Sequence, residues 1–125
     1  MLTLIALLAF SSPTLAAVTE TTCDIIDLDG YASVSIDDSV DYRQAVTSTL
    51  YVGGEEAPAL GETCHYLNVP GRRGFRCVHE LNGVRYQVYP QFKFKNQVVE
   101  DTKIQRLGVI VEGANTPAID TTDCK

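Results

Sequence analysis

Residues 35–52 read SIDDSVDYRQAVTSTLYV, and a helix is expected here and nowhere else in the chain. Ser35 with Asp38 resembles a capping box, and Asp37, Asp38 and Asp41 suit the positive end of a helix dipole. Ile36, Val40, Val46 and Leu50 form an apolar stripe near the 3.6-residue period. Gly53-Gly54 stops the helix. A loop rich in Gly, Glu, Ala and Pro then runs to Gly61.

From Cys64 on, the pattern is that of strands. Residues 74–92, GFRCVHELNGVRYQVYPQF, hold two alternating runs around Asn82-Gly83. Asn-Gly at that place predicts a two-residue type I′ hairpin, and the turn fixes the register. Leu81 then faces Val84, His79 faces Tyr86, Cys77 faces Val88 and Phe75 faces Pro90. On the other side Glu80 faces Arg85, Val78 faces Gln87 and Arg76 faces Tyr89. The first set is mostly apolar and should pack on the helix; the second is polar and should look away from it. Residues 102–106 and 107–113 read as two more strands, the second rich in β-branched residues. The expected class is α+β, with one N-terminal helix packed on an antiparallel β-sheet.

Upstream, residues 1–16 read MLTLIALLAFSSPTLA and carry no charged side chain. The apolar run from Leu2 to Phe10, about nine residues, is too short to span a bilayer. Small residues precede a cut after Ala16 or Ala17, so the segment reads as a secretory signal peptide with residues 17–125 as the mature domain. No later stretch is apolar and long enough to cross a membrane, and no Asn-x-Ser/Thr acceptor is present. An exported chain uses its cysteines as a disulfide framework. Four cysteines allow three connectivities; the one expected pairs Cys23 with Cys124 and Cys64 with Cys77. No C-x-x-C pair or His cluster accompanies them, so no metal site is expected.

Length and composition fit one soluble domain: 125 residues, 45% hydrophobic, 21% charged and a net charge of −6. That charge argues against a general polyanion binder. It is unevenly spread. Residues 17–71 carry Arg43 against ten acids, whereas residues 72–106 carry eight cations against Glu80, Glu100 and Asp101. Arg76, Arg85 and Tyr89 share one sheet face by the hairpin register, and cations beside an aromatic can hold a phosphate backbone or a base. The competing reading is a solvated strand face kept charged for solubility. His79 reads as structural. Asp27-Leu28-Asp29-Gly30 reads as a turn, because Ile25 and Ile36 occupy the first and twelfth positions of a would-be calcium loop. There is no phosphate-binding Gly loop, no Ser/His/Asp motif and no internal repeat.

The order of these features resembles the small secreted guanyl-specific ribonucleases of fungi, and still more their non-catalytic relatives, the ribonuclease-like effectors of plant-pathogenic fungi. Thr63-Cys64-His65-Tyr66-Leu67-Asn68 followed by Gly74-Phe75-Arg76 is similar to the family's catalytic His strand and its base-recognition loop. Tyr86-Gln87-Val88-Tyr89-Pro90 is similar to the strand that holds the general base. Leu107-Gly108-Val109-Ile110-Val111-Glu112-Gly113-Ala114, running on to Cys124, resembles the strand of the general acid and the terminal cysteine. A single helix ahead of the His and a first-to-last disulfide match as well. The resemblance implies a microbial-ribonuclease-like fold.

It also implies a damaged active site. Cleavage by this route needs a base for the ribose 2′-OH, an acid for the leaving oxygen and a cation for the phosphate. His65 stands at a catalytic position. Gln87 stands where the base should be, and an amide cannot take the proton. Glu112 stands where the acid should be, and ionised it would repel the phosphate. Lys103 or Arg106 would supply the cation. The loop Val69-Pro70-Gly71-Arg72-Arg73 has no carboxylate to grip a guanine edge. Each lost proton-transfer group costs on the order of 10²–10⁴-fold, so no useful nuclease activity is expected.

The resulting expectation is a secreted fungal effector that modulates plant immunity. It would bind a host protein or RNA through Arg72, Arg73, Arg76, Arg85 and Tyr89, as a monomer, with no membrane and no cofactor. The rival is a divergent active ribonuclease using His65 and Glu112. A third possibility is an extracellular structural or toxin domain on another β-rich fold, which would be favoured if His65, Gln87 and Glu112 did not line one sheet face.

Overall fold

The computed structural model describes residues 18–70, 72–95, 98–115, 118–121 and 124–125; for residues 69, 72–73, 93–95 and 98–102 only the backbone is described. The expected signal peptide lies outside these residues.

The expected α+β class is wrong. Among the described residues the chain is almost entirely antiparallel strand, and its only helical turns are single 3-10 turns at Ile26–Leu28 and Tyr42–Gln44. Four strands form one meander: β1 (Val18–Ile25), β2 (Gly30–Asp37), β3 (Val46–Val52) and β4 (Glu55–Ala57). Five more form a second: β5 (His65–Val69), β6 (Arg72–Leu81), β7 (Val84–Lys95), β8 (Val98–Val111) and β9 (Ile119–Thr121).

The segment expected as a helix splits between β2 and β3. Ile36, Val46 and Leu50 fit a period of two as well as 3.6, and all three are fully buried. Val40, which the helical stripe needs inside, is exposed. The run Val46-Thr47-Ser48-Thr49-Leu50-Tyr51-Val52 is β-branched and aromatic, which favours a pleated surface. The polar residues between the strands serve turns rather than a helix N-terminus. Asp37 accepts from the backbone and hydroxyl of Ser39, and Asp41 accepts from the backbone of Arg43 and its side chain. Those bonds, the Arg43 side chain first, hold the Asp41 carboxyl down to about 2.

β1 and β2 were not foreseen. Their inward residues alternate strictly: Thr21, Cys23 and Ile25 on one, Ala32, Val34 and Ile36 on the other. Asp27-Leu28-Asp29 makes the expected turn between them, with Asp29 in the left-handed region at φ 51°. Gly30 follows, and a methyl group there would lie 1.9 Å from the backbone oxygen of Tyr51. Gly30→Ala is therefore expected to cost about 2–3 kcal/mol by overpacking, read as a lower urea midpoint.

From the turn to Cys77 and Val88 the hairpin is as its register predicts. Leu81 pairs Val84, Glu80 pairs Arg85, His79 pairs Tyr86, Val78 pairs Gln87 and Cys77 pairs Val88. Asn82 and Gly83 both have positive φ, 51° and 81°, as a type I′ turn requires. The two strands expected at 102–106 and 107–113 are instead one continuous strand, β8, which pairs with β7 through a register shift near Lys93.

Both sheets turn their apolar faces to one core. Ile25, Val34, Ile36 and Leu50 come from the first, and Phe75, Val88, Leu107 and Val109 from the second. The first sheet thus occupies the place assigned to the helix. The core extends through a chain of rings, Tyr42 to Tyr66 to Phe75 to Phe92, at centroid distances of 5.2, 5.3 and 5.5 Å.

Both seams between the sheets are joined by backbone hydrogen bonds. Beyond β4 the chain runs along β6, with Leu60 N–H donating to Val78 O at 2.8 Å and Glu80 N–H to Pro58 O at 3.0 Å. On the other side Thr22 and Lys125 exchange two bonds of 2.8 and 2.7 Å. The disulfides are Cys23–Cys124 and Cys64–Cys77. The first lies at the β1 seam, where the two cysteines face each other. Two disulfides are consistent with an extracellular protein.

Candidate functional site

Strand alternation sorts the second sheet into two faces. Phe75, Cys77 and His79 point inward from β6, and Tyr86, Val88 and Pro90 point inward from β7. Arg76, Val78 and Glu80 therefore point outward, as do Arg85, Gln87 and Tyr89. His65 on β5 pairs directly with Arg76. Gln87 pairs with Ile110 of β8, and Tyr89 with Gly108. The outer face thus collects His65, Arg76, Gln87 and Tyr89, and Glu112 joins them from just beyond β8.

Gln87 is the hub of this face. Its Nε2 donates to Glu112 Oε2 at 3.0 Å, and its Oε1 accepts from the Tyr89 hydroxyl. Both ends of the amide are thereby engaged, and Glu112 is held by a neutral donor.

His65 is exposed and lies across β6 from β7. Two strand spacings, about 10 Å, separate it from β7, and Glu112 lies a third strand away and further along the sheet. A general acid and a general base must each come within hydrogen-bond reach of atoms of one phosphodiester. His65 and Glu112 are too far apart for that.

Two of the candidate cations, Arg85 and Arg106, are paired. Arg85 Nε donates to Glu80 Oε1 at 3.2 Å, and Arg106 Nη1 to Asp120 Oδ2 at 3.2 Å. Both pairs are solvent-exposed, so each is worth about 0–1 kcal/mol, yet each cancels a charge on the face. Arg76 differs. Its Nε is buried with no hydrogen-bond partner among the described residues. Arg72 and Arg73 stand on β6 opposite Val69 and Asn68; their side chains lie outside the described set. Lys103 is exposed on β8.

A shallow pocket opens beside this face, over the Cys64–Cys77 bond, between His65, Glu62, Leu60 and Thr47. Its cavity measures about 20 Å³. That is room for about one water, against roughly 300–1,000 Å³ for a small-molecule site. Among the described residues no group of three or more His, Cys, Asp and Glu is placed to hold a metal, and no helix is long and apolar enough to cross a membrane.

His79 proves to be a core residue. It is fully buried, with Nδ1 donating to Ala57 O at 2.9 Å and Nε2 accepting from the Ser48 hydroxyl at 2.7 Å. Burial pushes its pKa below the ordinary imidazole value, against the smaller opposing pull of the Ala57 bond and the charge of Glu56.

The sequence reading overlooked the ion pairs that neutralise Arg85 and Arg106. The hairpin register places Glu80 opposite Arg85, which is what allows the first pair to form. Tyr51, inside the segment expected as a helix, and Tyr31, on the unexpected β2, were also missed. Comparison of the chain with protein-family models, curated proteins and solved structures returns no match.

Proposed function

We infer that the chain is a secreted effector that acts by binding a host protein, without catalysis, through the outer face of the five-stranded sheet. The observation that carries this reading is the Tyr89–Gln87–Glu112 chain of hydrogen bonds beside Arg76 and His65. It is a fixed polar surface in which the amide cannot exchange a proton. The shallow pocket is consistent with contact across a surface rather than enclosure of a substrate. The paired arginines favour a protein over RNA, since a polyanion needs unpaired cations and the whole molecule carries −6. The host-facing part of the reading rests on the three motif stretches alone. The helix that the resemblance implies is absent, and the ribonuclease-like fold is not carried forward.

Incubation of the pure protein with total RNA, beside a His65→Ala control, is expected to leave the RNA intact in both. Cleavage by the wild type that His65→Ala abolishes would overturn the reading. Charge reversal at Arg72, Arg73 and Arg76 is expected to weaken partner binding by about tenfold or more, measured by titration; unchanged affinity would count against this surface.

A further inference from the structure

The four-stranded sheet has an outer face of a different kind. No residue of β1 to β4 is Lys or Arg. At one end of that face a single row crosses all four strands. Asp24 pairs with Tyr31, Tyr31 with Tyr51, and Tyr51 with Glu56. Their neighbours Cys23, Ile25, Ala32, Leu50 and Ala57 are buried, so all four side chains of the row point to solvent.

The row is a built arrangement. The two tyrosine rings stack at a centroid distance of 4.7 Å and an interplanar angle of 18°. The Tyr51 hydroxyl donates to Glu56 Oε1 at 3.2 Å. The negative charge of Glu56 and that bond raise the Tyr51 pKa, which keeps the phenol neutral. The adjoining turn adds an apolar knob. Ile26 is 83% exposed, the most open of the large hydrophobic side chains among the described residues. Gly53 N–H donates to Asp29 O at 3.0 Å and ties the β3–β4 turn to the β1–β2 turn, so both turns border the row.

A ring face flanked by a carboxylate suits a cation, which gains attraction from the ring quadrupole and from the charge together. An exposed isoleucine beside it suits the stem of a long basic side chain or an apolar neighbour in a peptide. We propose that the Asp24–Tyr31–Tyr51–Glu56 row, with Ile26, is a docking surface for a basic, arginine- or lysine-bearing segment of a partner protein. It lies on the sheet opposite the Gln87 face and does not depend on the role given to that face.

The test uses a fluorescent nonapeptide of alternating Arg and Ser, followed by anisotropy at about 0.15 M salt, where loose charge attraction is screened beyond about 8 Å. The wild type is expected to bind it, and a Glu/Ser peptide is expected not to bind. Tyr31→Ser with Tyr51→Ser leaves the net charge unchanged and is expected to raise Kd about tenfold. Asp24→Asn with Glu56→Gln is expected to do the same. Ile26→Ser, at a side chain too exposed to matter for folding, is expected to raise Kd about threefold and keeps the test valid if the double tyrosine variant does not fold. Tyr89→Ala, on the other sheet, is expected to leave Kd unchanged. Absence of wild-type binding, or equal binding by the tyrosine and Ile26 variants, would overturn the proposal. So would concentration-dependent self-association that the tyrosine substitutions abolish, because the occupant would then be a second copy of this chain.

Discussion

Replacing Cys23 and Cys124 together by alanine is expected to lower the unfolding free energy by about 4–5 kcal/mol. The bond joins residues 101 apart in sequence, so it constrains nearly the whole described chain in the unfolded state. In the folded state it pins the β1 seam, where Cys23 is completely buried and the last residues of the chain pair with Thr22. A domain of this size has about 5–15 kcal/mol in total, so the loss takes a large share of it. The Cys64–Cys77 bond spans only 13 residues and should contribute less, about 3 kcal/mol. Urea unfolding of the two double variants under non-reducing conditions checks the order. A smaller loss for the Cys23/Cys124 variant than for the Cys64/Cys77 variant would contradict the role given to the terminal bond.

The second large effect lies at His79. Its side chain joins three strands, through Ala57 of β4, Ser48 of β3 and its own place in β6. His79→Ala would leave a cavity and remove a bond from the Ala57 carbonyl and from the part-buried Ser48 hydroxyl, and is expected to cost about 3–5 kcal/mol. The same residue gives stability a pH dependence. The folded imidazole has a lowered pKa, whereas in the unfolded chain it titrates near about 6.5. Below that pH the unfolded state takes up a proton that the folded state resists, so stability is full above about pH 7 and falls as the solution is acidified through the unfolded value. The slope approaches about 1.4 kcal/mol per pH unit. Comparing urea midpoints at pH 7.5 and pH 5 should show the fall in the wild type and a smaller fall in His79→Phe. Identical falls in the two would contradict the assignment of the neutral form.

The parts of the fold that were legible in sequence are those with a local cause. Asn82-Gly83 accepts two positive φ angles in succession, which restricts the turn, and alternation then fixes every pair up to Cys77 and Val88. The buried His79 and the outward Arg76, Gln87 and Tyr89 follow from that register. Both cysteine pairings were likewise as expected.

The segment at 35–52 failed because its signals were ambiguous. Ile36, Val46 and Leu50 satisfy both periods, and the acids that would cap a helix serve equally well in turns. What separates the readings is the density of β-branched residues after Ala45 and the inward alternation at Ala32, Val34 and Ile36, which belongs to a strand that ends inside the supposed helix. Losing that strand meant losing β1, its partner, and with it the tyrosine row. The candidate site was legible in its residues but not in its electrostatics. Arg106 is neutralised by Asp120 of β9, a contact set by tertiary structure that no local pattern reveals.

The central claim is that the outer face of the five-stranded sheet, with Gln87 at its hub, is where a host protein is held. Immobilised wild-type protein and the variants Tyr89→Ala and Arg76→Glu, incubated with plant leaf extract before and after digestion of its RNA, test that claim most directly. The account predicts a protein retained by the wild type, lost from both variants and unaffected by the digestion. Equal retention by the variants, or release when the RNA is removed, would contradict it.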